Sequence, residues 1–414
     1  MPYRQSLVCV FLLAVAAMAQ APYDLLLKGG TVIDPKNNRN GAFDVGIAGG
    51  KIAEVAPNIA PTKARKVIKV DGLYVVPGLV DLHSHLYAGN KRGAHALGEF
   101  SIYPDGHTFR ACTTTIADAG SSGWRNFEDF NNGVIALSKT RVFVLLNIVG
   151  LGLSGLAHSQ NVADMDPKPA AEMAKKYPNV IVGFKTVQYQ ASDWTNVDRA
   201  LEAGKLANLP VMIDFGKFHP ESRPYQELVL DKLRPGDIST HMYKYDVPIF
   251  DQNGKLLPYL AQARARGVKF DIGHGLGNFL FRIVVPAIRQ GWVPDSISTD
   301  LHTDSMIHAA KSLTNLMSKV MNIGVPLPDV IKMTTVNPTA MMKHSEFGHL
   351  SVGAVADVAV LSMLKGDVGF LDIHGGRMAG KQKLECELTL REGKVMWDLS
   401  GLAGEDWEKL GPNY

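Results

Sequence analysis

Eight short apolar runs, most of them followed by a segment of helical character, occupy the middle of the chain and limit what it can fold into. Alternating β and α units form a parallel sheet covered by helices, and eight such units predict a closed (β/α)8 TIM barrel rather than an open sheet. The predicted strands are residues 74–82, 113–118, 142–149, 180–185, 211–215, 237–241, 268–272 and 295–300. The predicted helices are residues 126–139, 162–176, 195–207, 225–233, 256–266, 279–289 and 305–321.

Shorter strand-like runs, bounded by Gly, Pro, Asn and Asp, flank this region at both ends of the chain. Such runs are typical of strands joined by tight turns. We expect the two ends to form one small β-sandwich, because an incomplete sheet at either end would leave open edges. The predicted division is a signal peptide over 1–19, the sandwich over 20–72 and 346–414, including the tail, and the barrel over 73–345.

The first residues have the pattern of an export signal. Arg4 supplies the positive charge, residues 7–18 are apolar, and Ala17-Met18-Ala19 is a small-x-small cleavage site. We expect cleavage after about Ala19 and a periplasmic or secreted protein. The alternative is an uncleaved anchor, but the apolar run is shorter than the roughly 20 residues that span a bilayer. No membrane association is therefore expected once the signal is removed.

Composition and charge narrow the class of partner. A chain of 414 residues exceeds what one ordinary core serves, and 46% apolar with 20% charged residues is typical of a globular protein. The formal net charge is +3, and no block of like charges occurs, which argues against nucleic acid or an anionic membrane as partner. We expect a small-molecule substrate, and an oligomeric assembly is compatible with the sequence.

Two cysteines, Cys112 and Cys386, remain after Cys9 is lost with the signal. An even pair in an oxidising compartment can form a disulfide. The two lie in segments assigned to different domains, however, so the prediction favours two free buried thiols over a disulfide. Neither has His or Cys neighbours at the spacing of a zinc site.

Ionisable residues follow the ends of several predicted strands, which is where barrel enzymes place their chemistry. Strand side chains alternate with period two, so the two histidines of His83-Ser84-His85 point the same way. Several such groups on one rim would be costly to bury unpaired, and a shared metal ion removes that cost. The predicted rim residues are His83, His85, Lys185, His241 and Asp300, with His302 close behind.

Two motifs carry a resemblance to a known family. They are Val76-Pro77-Gly78-Leu79-Val80-Asp81-Leu82-His83-Ser84-His85 and the less specific Ala356-Asp357-Val358-Ala359-Val360-Leu361. With them the chain resembles the amidohydrolase superfamily of metal-dependent hydrolases. It is most similar to the amidohydrolase/deacetylase branch, near the dihydroorotases and D-aminoacylases. The resemblance covers nearly all of the chain after the signal, including the split β unit.

The resemblance implies a centre of two divalent metal ions. His83 and His85 would bind the more buried ion, His241 would bind the second, and Asp300 would ligate the first and shuttle protons. Lys185 would be carboxylated by CO2 and bridge both ions, because an ammonium group cannot ligate a cation whereas a carbamate can. Zinc is the default metal for His and carboxylate ligands.

One position departs from the family pattern. The fifth strand normally ends in a histidine that binds the second metal, but here Asp214 aligns with it. A carboxylate also binds zinc, so Asp214 is a candidate substitute ligand. His219, five residues later, could instead reach back from the loop. If neither binds, the second metal is weak or absent.

Four further features have two interpretations each. His274, in Gly273-His274-Gly275, is either a substrate contact or part of a structural turn. His302 is a candidate at the substrate side that could orient Asp300, or a surface residue. Asp81 is expected to be a buried hydrogen-bonding group rather than a ligand. Residues 120–123 form a turn or offer backbone donors to an anionic substrate group.

The expected function is hydrolysis of a small amide, cyclic amide or ester. A metal-bound hydroxide would attack the carbonyl while Asp300 passes its proton to the leaving group, and the second metal or His274 would polarise the carbonyl. The alternative is a binding protein that holds a metal without turnover, which Asp214 at the histidine position suggests. A lactonase or deaminase on the same scaffold is a third alternative.

Overall fold

The computed structural model describes residues 21–411, so the predicted signal peptide over 1–19 lies outside the described residues. The strands are β1 (Tyr23–Lys28), β2 (Thr31–Asp34), β3 (Arg39–Ala42), β4 (Asp44–Ala48), β5 (Lys51–Ala56), β6 (Ala64–Lys69), β7 (Tyr74–Pro77), β8 (Leu79–Ser84), β9 (Ala88–Lys91), β10 (Thr113–Gly123), β11 (Arg141–Asn147), β12 (Ile181–Thr186), β13 (Val211–Ile213), β14 (Ile238–Ser239), β15 (Lys269–Phe270), β16 (Val358–Leu371), β17 (Arg377–Arg391) and β18 (Lys394–Asp398). The helices are α1 (Asp105–Thr108), α2 (Phe127–Gly133), α3 (Leu156–Ser159), α4 (Pro167–Lys176), α5 (Thr195–Ala207), α6 (Tyr225–Glu227), α7 (Pro258–Ala265), α8 (Phe281–Arg289), α9 (Thr303–Ile307), α10 (Leu313–Ile323), α11 (Leu327–Met333) and α12 (Val336–Met341).

A curled parallel sheet of seven strands, in the order β15-β14-β13-β12-β11-β10-β8, forms the centre of the molecule. Helices follow most of its strands, as the alternating apolar runs predict. Side chains of one face form an apolar cluster of their own, which includes Val80, Ala117, Leu145, Val182, Met212 and Ile238. The α/β class is therefore as predicted, and the carboxyl ends of the strands share one rim.

The last predicted strand, over 295–300, is not a regular strand. It meets its neighbours through isolated parallel bridges, Asp271 with Ser296 and Ser84 with Leu301. The main chain of Asp300 has φ 49°, a left-handed conformation that interrupts extended structure.

The first predicted strand, over 74–82, is in fact two strands that meet at Gly78. β7 belongs to a six-stranded sheet, whereas β8 starts the parallel sheet and carries His83. Gly78 donates a backbone hydrogen bond of 2.8 Å to Asp357, and a Cβ at Gly78 would overlap the side chain of Thr114. Because Gly78 has no side chain, the chain can cross from the six-stranded sheet to the parallel sheet in close contact with Thr114.

Strands from both ends of the chain form the two remaining sheets. The six-stranded sheet has the order β18-β17-β16-β7-β2-β3, and the four-stranded sheet has the order β5-β4-β1-β6. Their common apolar core includes Leu27, Val45, Ile68, Val360 and Leu388. The strand at Tyr74 pairs with the strand at Leu361, so the N- and C-terminal segments are joined within one sheet.

The prediction of free thiols is wrong, because Cys112 and Cys386 form a disulfide with a Cα–Cα distance of 5.5 Å. Cys112 leads into β10 of the parallel sheet, and Cys386 lies on β17 of the six-stranded sheet. The two units pack tightly here, where Thr389 donates a 2.6 Å hydrogen bond to the carbonyl of Phe109. The two cysteines lie in separate predicted domains, but the parallel sheet and the six-stranded sheet pack against each other where the cysteines meet.

The predicted helix over 305–321 is also two helices, α9 and α10, separated by an irregular segment in which Lys311 has φ 60°. Ser312 caps α10 by accepting a hydrogen bond from the backbone of Asn315, which favours a new helix start at this point. None of the helices in the described part of the chain has the length and apolar character needed to cross a bilayer.

Candidate metal centre

His83, His85 and Asp300 converge at the rim of the parallel sheet. One ligand atom from each lies within 4.8 Å of the others, and all three residues are buried. Asp300 Oδ1 is 3.4 Å from His83 Nε2 and 3.1 Å from His85 Nε2. Two imidazole nitrogens and a carboxylate oxygen in this arrangement are a ligand set for a divalent transition metal.

Hydrogen bonds on the far side of each ring orient the histidines. His83 Nδ1 lies 3.1 Å from the hydroxyl of Thr240, which itself donates to Asp271 at 2.8 Å. The hydroxyl therefore accepts from His83, so that Nδ1 carries the proton and Nε2 is free to bind a metal. His85 Nδ1 is likewise paired with Ser121, at 3.0 Å.

Asp300 is held in an uncommon backbone conformation. Its φ of 49° lies in the left-handed region, where a non-glycine residue is strained, and such residues cluster at functional sites. Ser305 donates a 3.0 Å hydrogen bond to the carbonyl of Asp300. Burial by itself raises the pKa of the Asp300 carboxyl, but His83, His85 and His241 lower it well below its ordinary value. The carboxylate is therefore ionised and able to accept a proton.

His241 and Asp214 face each other farther along the same rim. His241 Nδ1 donates to the carbonyl of Gly273 at 2.8 Å, and its Nε2 is 3.9 Å from Asp214 Oδ2. His241 also has a positive φ, of 60°. Burial lowers the pKa of His241 to about 4 and that of His85 to about 4, so both rings are neutral near pH 7, the form that binds metals.

Lys185, the penultimate residue of β12, is almost completely buried, with 1% of its surface exposed. No ion pair in the described part of the chain includes it. Burial is the largest influence on the pKa of Lys185 and lowers it, whereas the charges of Asp214 and Asp300 act in the opposite direction. Gly120 packs against its aliphatic stem, since a Cβ at that glycine would lie 3.0 Å from Lys185 Cγ. The amine is thus confined to the rim.

These side chains line a cavity of about 390 Å³ together with apolar residues that include Phe100, Leu153, Val187 and Leu276. His302 also lines it, and His302 Nδ1 has no hydrogen-bond partner among the described residues. Sequence reasoning missed His95, whose ring lies 4.3 Å from that of His85. His95 belongs to an irregular loop after β9, where no motif indicates its position.

Other predicted residues lie elsewhere. His274 is fully buried beside α10 and does not line the cavity, while His219 Nε2 pairs with the carbonyl of Gln190 at 2.8 Å. Residues 120–123 continue β10 rather than forming a turn. Asp81 is a buried acceptor, bonded to the backbone of Thr299 at 3.0 Å, as expected.

Known proteins similar to this chain cover most of its length. A deacetylase from Agrobacterium fabrum is 30% identical over 350 residues, 82% of this chain and 83% of the relative. A deacetylase from Brucella anthropi is 31% identical over 336 residues, 79% of this chain and 80% of the relative. No family model matches the chain.

Solved structures agree. The structure of an adenine deaminase has a TM-score of 0.81 and 25% identity, covering 91% of this chain and 100% of its own. The structure of a dihydroorotase has a TM-score of 0.76 and 28% identity, and the match covers 90% of this chain and 98% of the dihydroorotase chain. Together with the His83, His85 and Asp300 cluster, these similarities confirm the family that the motifs predict, and the chain belongs to the amidohydrolase superfamily, in its deacetylase branch.

Proposed function

We propose that this chain is a metal-dependent hydrolase that removes the acyl group from a small amide or ester, or opens a small cyclic amide. The observation that carries the proposal is the convergence of His83, His85 and Asp300 at the floor of a cavity of about 390 Å³. The similarity to deacetylases supports the same reaction class. The apolar part of the cavity wall suits a substrate with an aliphatic or aromatic portion.

The donor set fits a divalent metal, because both histidines have their outer nitrogens paired and their Nε2 atoms directed at Asp300. We propose zinc as the metal, with His241, Asp214 and a carboxylated Lys185 holding a second ion. A carbamate on Lys185, formed from its amine and CO2, would give an otherwise unpaired buried group a function. When bound, divalent ions lower the pKa of water and polarise carbonyl groups.

Asp300 is the residue that we expect to move the proton. Its carboxylate is ionised and lies buried beside His83 and His85, so it can accept a proton from water and donate it to the departing nitrogen or oxygen. Thr240 and Ser121 keep His83 and His85 in the ligand-competent orientation.

We further propose that the parallel sheet closes into a (β/α)8 barrel through residues 295–300. Backbone hydrogen bonds link this segment to both edges of the sheet: Ile272 donates to Ser296 at 3.2 Å, and His85 donates to Leu301 at 2.9 Å. These are the contacts that an eighth strand would make.

Export remains a proposal and is supported by the disulfide between Cys112 and Cys386, since disulfides persist in oxidising compartments. The proposal includes cleavage of the signal peptide near Ala19 and a small-molecule substrate, and it is compatible with an oligomeric assembly. N-terminal sequencing of protein recovered from a bacterial periplasmic fraction tests the cleavage site.

A second candidate function is metal-dependent binding without turnover. The observation that favours it is Asp214, 3.9 Å from His241, at the position where the resemblance to the superfamily implies a histidine. The strained, ionised Asp300 argues against it, because a binding protein needs no proton shuttle.

One experiment separates the two. Protein expressed with zinc and bicarbonate is tested against N-acetyl amino acids, acetylated hydroxy acids, hydantoins and dihydroorotate. Metal analysis and native mass spectrometry, which detects one added CO2, are run on the same sample, with Lys185→Met as the control. Turnover of any substrate by protein with two metals supports the hydrolase. Absence of turnover with one metal per chain favours the binding protein.

A further inference from the structure

Lys319, on α10, is a fully buried lysine with no carboxylate partner in the described part of the chain. Its exposed fraction is 0%, and its Nζ lies 2.9 Å from His274 Nε2 and donates to the carbonyl of Ala309 at 2.6 Å. Burying an amine is costly unless good hydrogen bonds compensate. A leucine or methionine would fill this position in a helix at less cost, so the two contacts are the reason for a lysine here.

The first contact holds the loop that follows β15. Because His274 Nε2 accepts from Lys319, the ring carries its proton on Nδ1 and donates to the carbonyl of Gly275 at 3.0 Å. The ring also stacks on Phe279, with centroids 4.7 Å apart and an interplanar angle of 15°. His274 therefore has a single orientation, and Lys319 determines it.

The second contact holds the segment that follows Asp300. Ala309 lies just after α9, the helix that begins three residues beyond Asp300 and supplies Ser305 to its carbonyl. From α10, Lys319 thus bonds to two loops, one before Asp300 in the sequence and one after it.

The His274 loop touches the metal centre directly. The carbonyl of Gly273 accepts from His241 Nδ1, and Gly275 leaves open the space that the carboxylate of Asp300 occupies. Gly275 also donates a backbone hydrogen bond to Thr299 at 3.0 Å, next to Asp300. A shift of the His274 loop would therefore move a metal ligand and the proton shuttle together.

We propose that Lys319 is a positioning residue of the active site, which sets the orientation of Asp300 and His241 through its hydrogen bonds to His274 and Ala309. In this role Lys319 contacts neither the substrate nor the metals. The proposal rests on the proposed hydrolase function only for its kinetic readout.

The test compares Lys319→Met with Ser318→Ala. Ser318 is the adjacent buried residue of α10, and its hydroxyl serves only the helix carbonyl of Thr314 and the backbone of Leu384, so it is a matched control for damage to α10. We expect kcat of Lys319→Met to fall by about 10- to 100-fold, the effect of a small misplacement of a reacting group, with KM unchanged. Ser318→Ala should keep kcat within about twofold at a similar loss of thermal stability.

Two measurements do not depend on a substrate. Nitrogen-15 NMR of the histidine rings should show His274 protonated on Nδ1 in the wild type and a changed tautomer in Lys319→Met. A crystal structure of that variant should show a displaced Asp300 carboxylate. If Lys319→Met does not fold, His274→Phe keeps the stack on Phe279, removes the Nε2 acceptor and should reproduce the loss of kcat.

Wild-type kcat in Lys319→Met, an equal loss of kcat in Ser318→Ala, or an unmoved Asp300 would overturn the proposal. A wild type without activity on any substrate would count against the hydrolase function instead, and the tautomer and the Asp300 position would then decide the role of Lys319.

Discussion

Gly275 and Asp300 share one small space: the Asp300 carboxylate lies where a side chain on Gly275 would begin. Gly275 also has φ 46°, a conformation that suits glycine. The position of the Asp300 carboxylate therefore depends on a glycine in the loop after β15.

Gly275→Ala should displace Asp300 and reduce kcat by about 100-fold, since misplacement of a reacting group has effects of this size. The control is Gly291→Ala, which has φ 87° but nothing within 4 Å of the new Cβ. It carries the same backbone strain, about 1 kcal/mol, without the overlap. Steady-state kinetics and thermal unfolding of both variants separate the two effects, and equal kcat values would contradict the interpretation.

Asp300→Asn should lower kcat by about 10² to 10⁴-fold, because an amide cannot take up the proton that a carboxylate accepts. The amide keeps the size of the side chain, so bound metal should remain. Kinetics on the best substrate of the panel, with metal analysis, check both parts. Near-normal turnover would remove Asp300 from the proton-transfer role.

Asp214→His introduces the histidine that the resemblance to the amidohydrolase superfamily implies at the end of the fifth strand. We expect the second metal to bind about 10- to 100-fold more tightly, the range typical of changes in a metal's environment. Chelator competition measures the affinity. His219→Gln is the control, since His219 pairs with Gln190 away from the centre, and a weaker second metal in that variant would instead make His219 a ligand.

The buried amine of Lys319 predicts a pH dependence of stability. Burial lowers its pKa from 10.5 to about 7, so between these values the unfolded chain binds more protons than the folded chain. The free energy of unfolding should therefore gain a contribution of up to a few kcal/mol as the pH rises from 7 to 10.5. Urea denaturation of the wild type and Lys319→Met checks this, because the difference between them should change with pH over that window. A constant difference would mean that the amine titrates normally.

Loss of the disulfide should destabilise the protein by about 5 kcal/mol, because it closes a loop of 274 residues in the unfolded chain. The Cys112→Ser, Cys386→Ser double variant is compared with the wild type in urea, with and without reductant. Reductant should affect only the wild type. Equal stability of the two proteins without reductant would show that packing at this interface suffices alone.

The sequence predicts the parts of the site that depend on strand ends. His83, His85, Lys185, His241 and Asp300 all follow apolar runs, and parallel strands bring their ends to one rim. It does not predict His95, because the loop that carries it has no periodicity. It also does not show that His274 faces α10, since that depends on Lys319, 45 residues away. The break at Gly78 and the disulfide escape prediction for a related reason: both belong to the contact between two units, which no local pattern encodes.

The six-stranded sheet has a consequence for how the protein is made. β2 and β7 leave the ribosome early, but β16, which pairs with β7, follows more than 280 residues after it, as the pairing of Tyr74 with Leu361 shows. Through most of synthesis the early strands therefore have an open edge, a state prone to aggregation. Chains that stop before Val358 should accumulate in insoluble form, although their parallel sheet and every proposed metal ligand are complete.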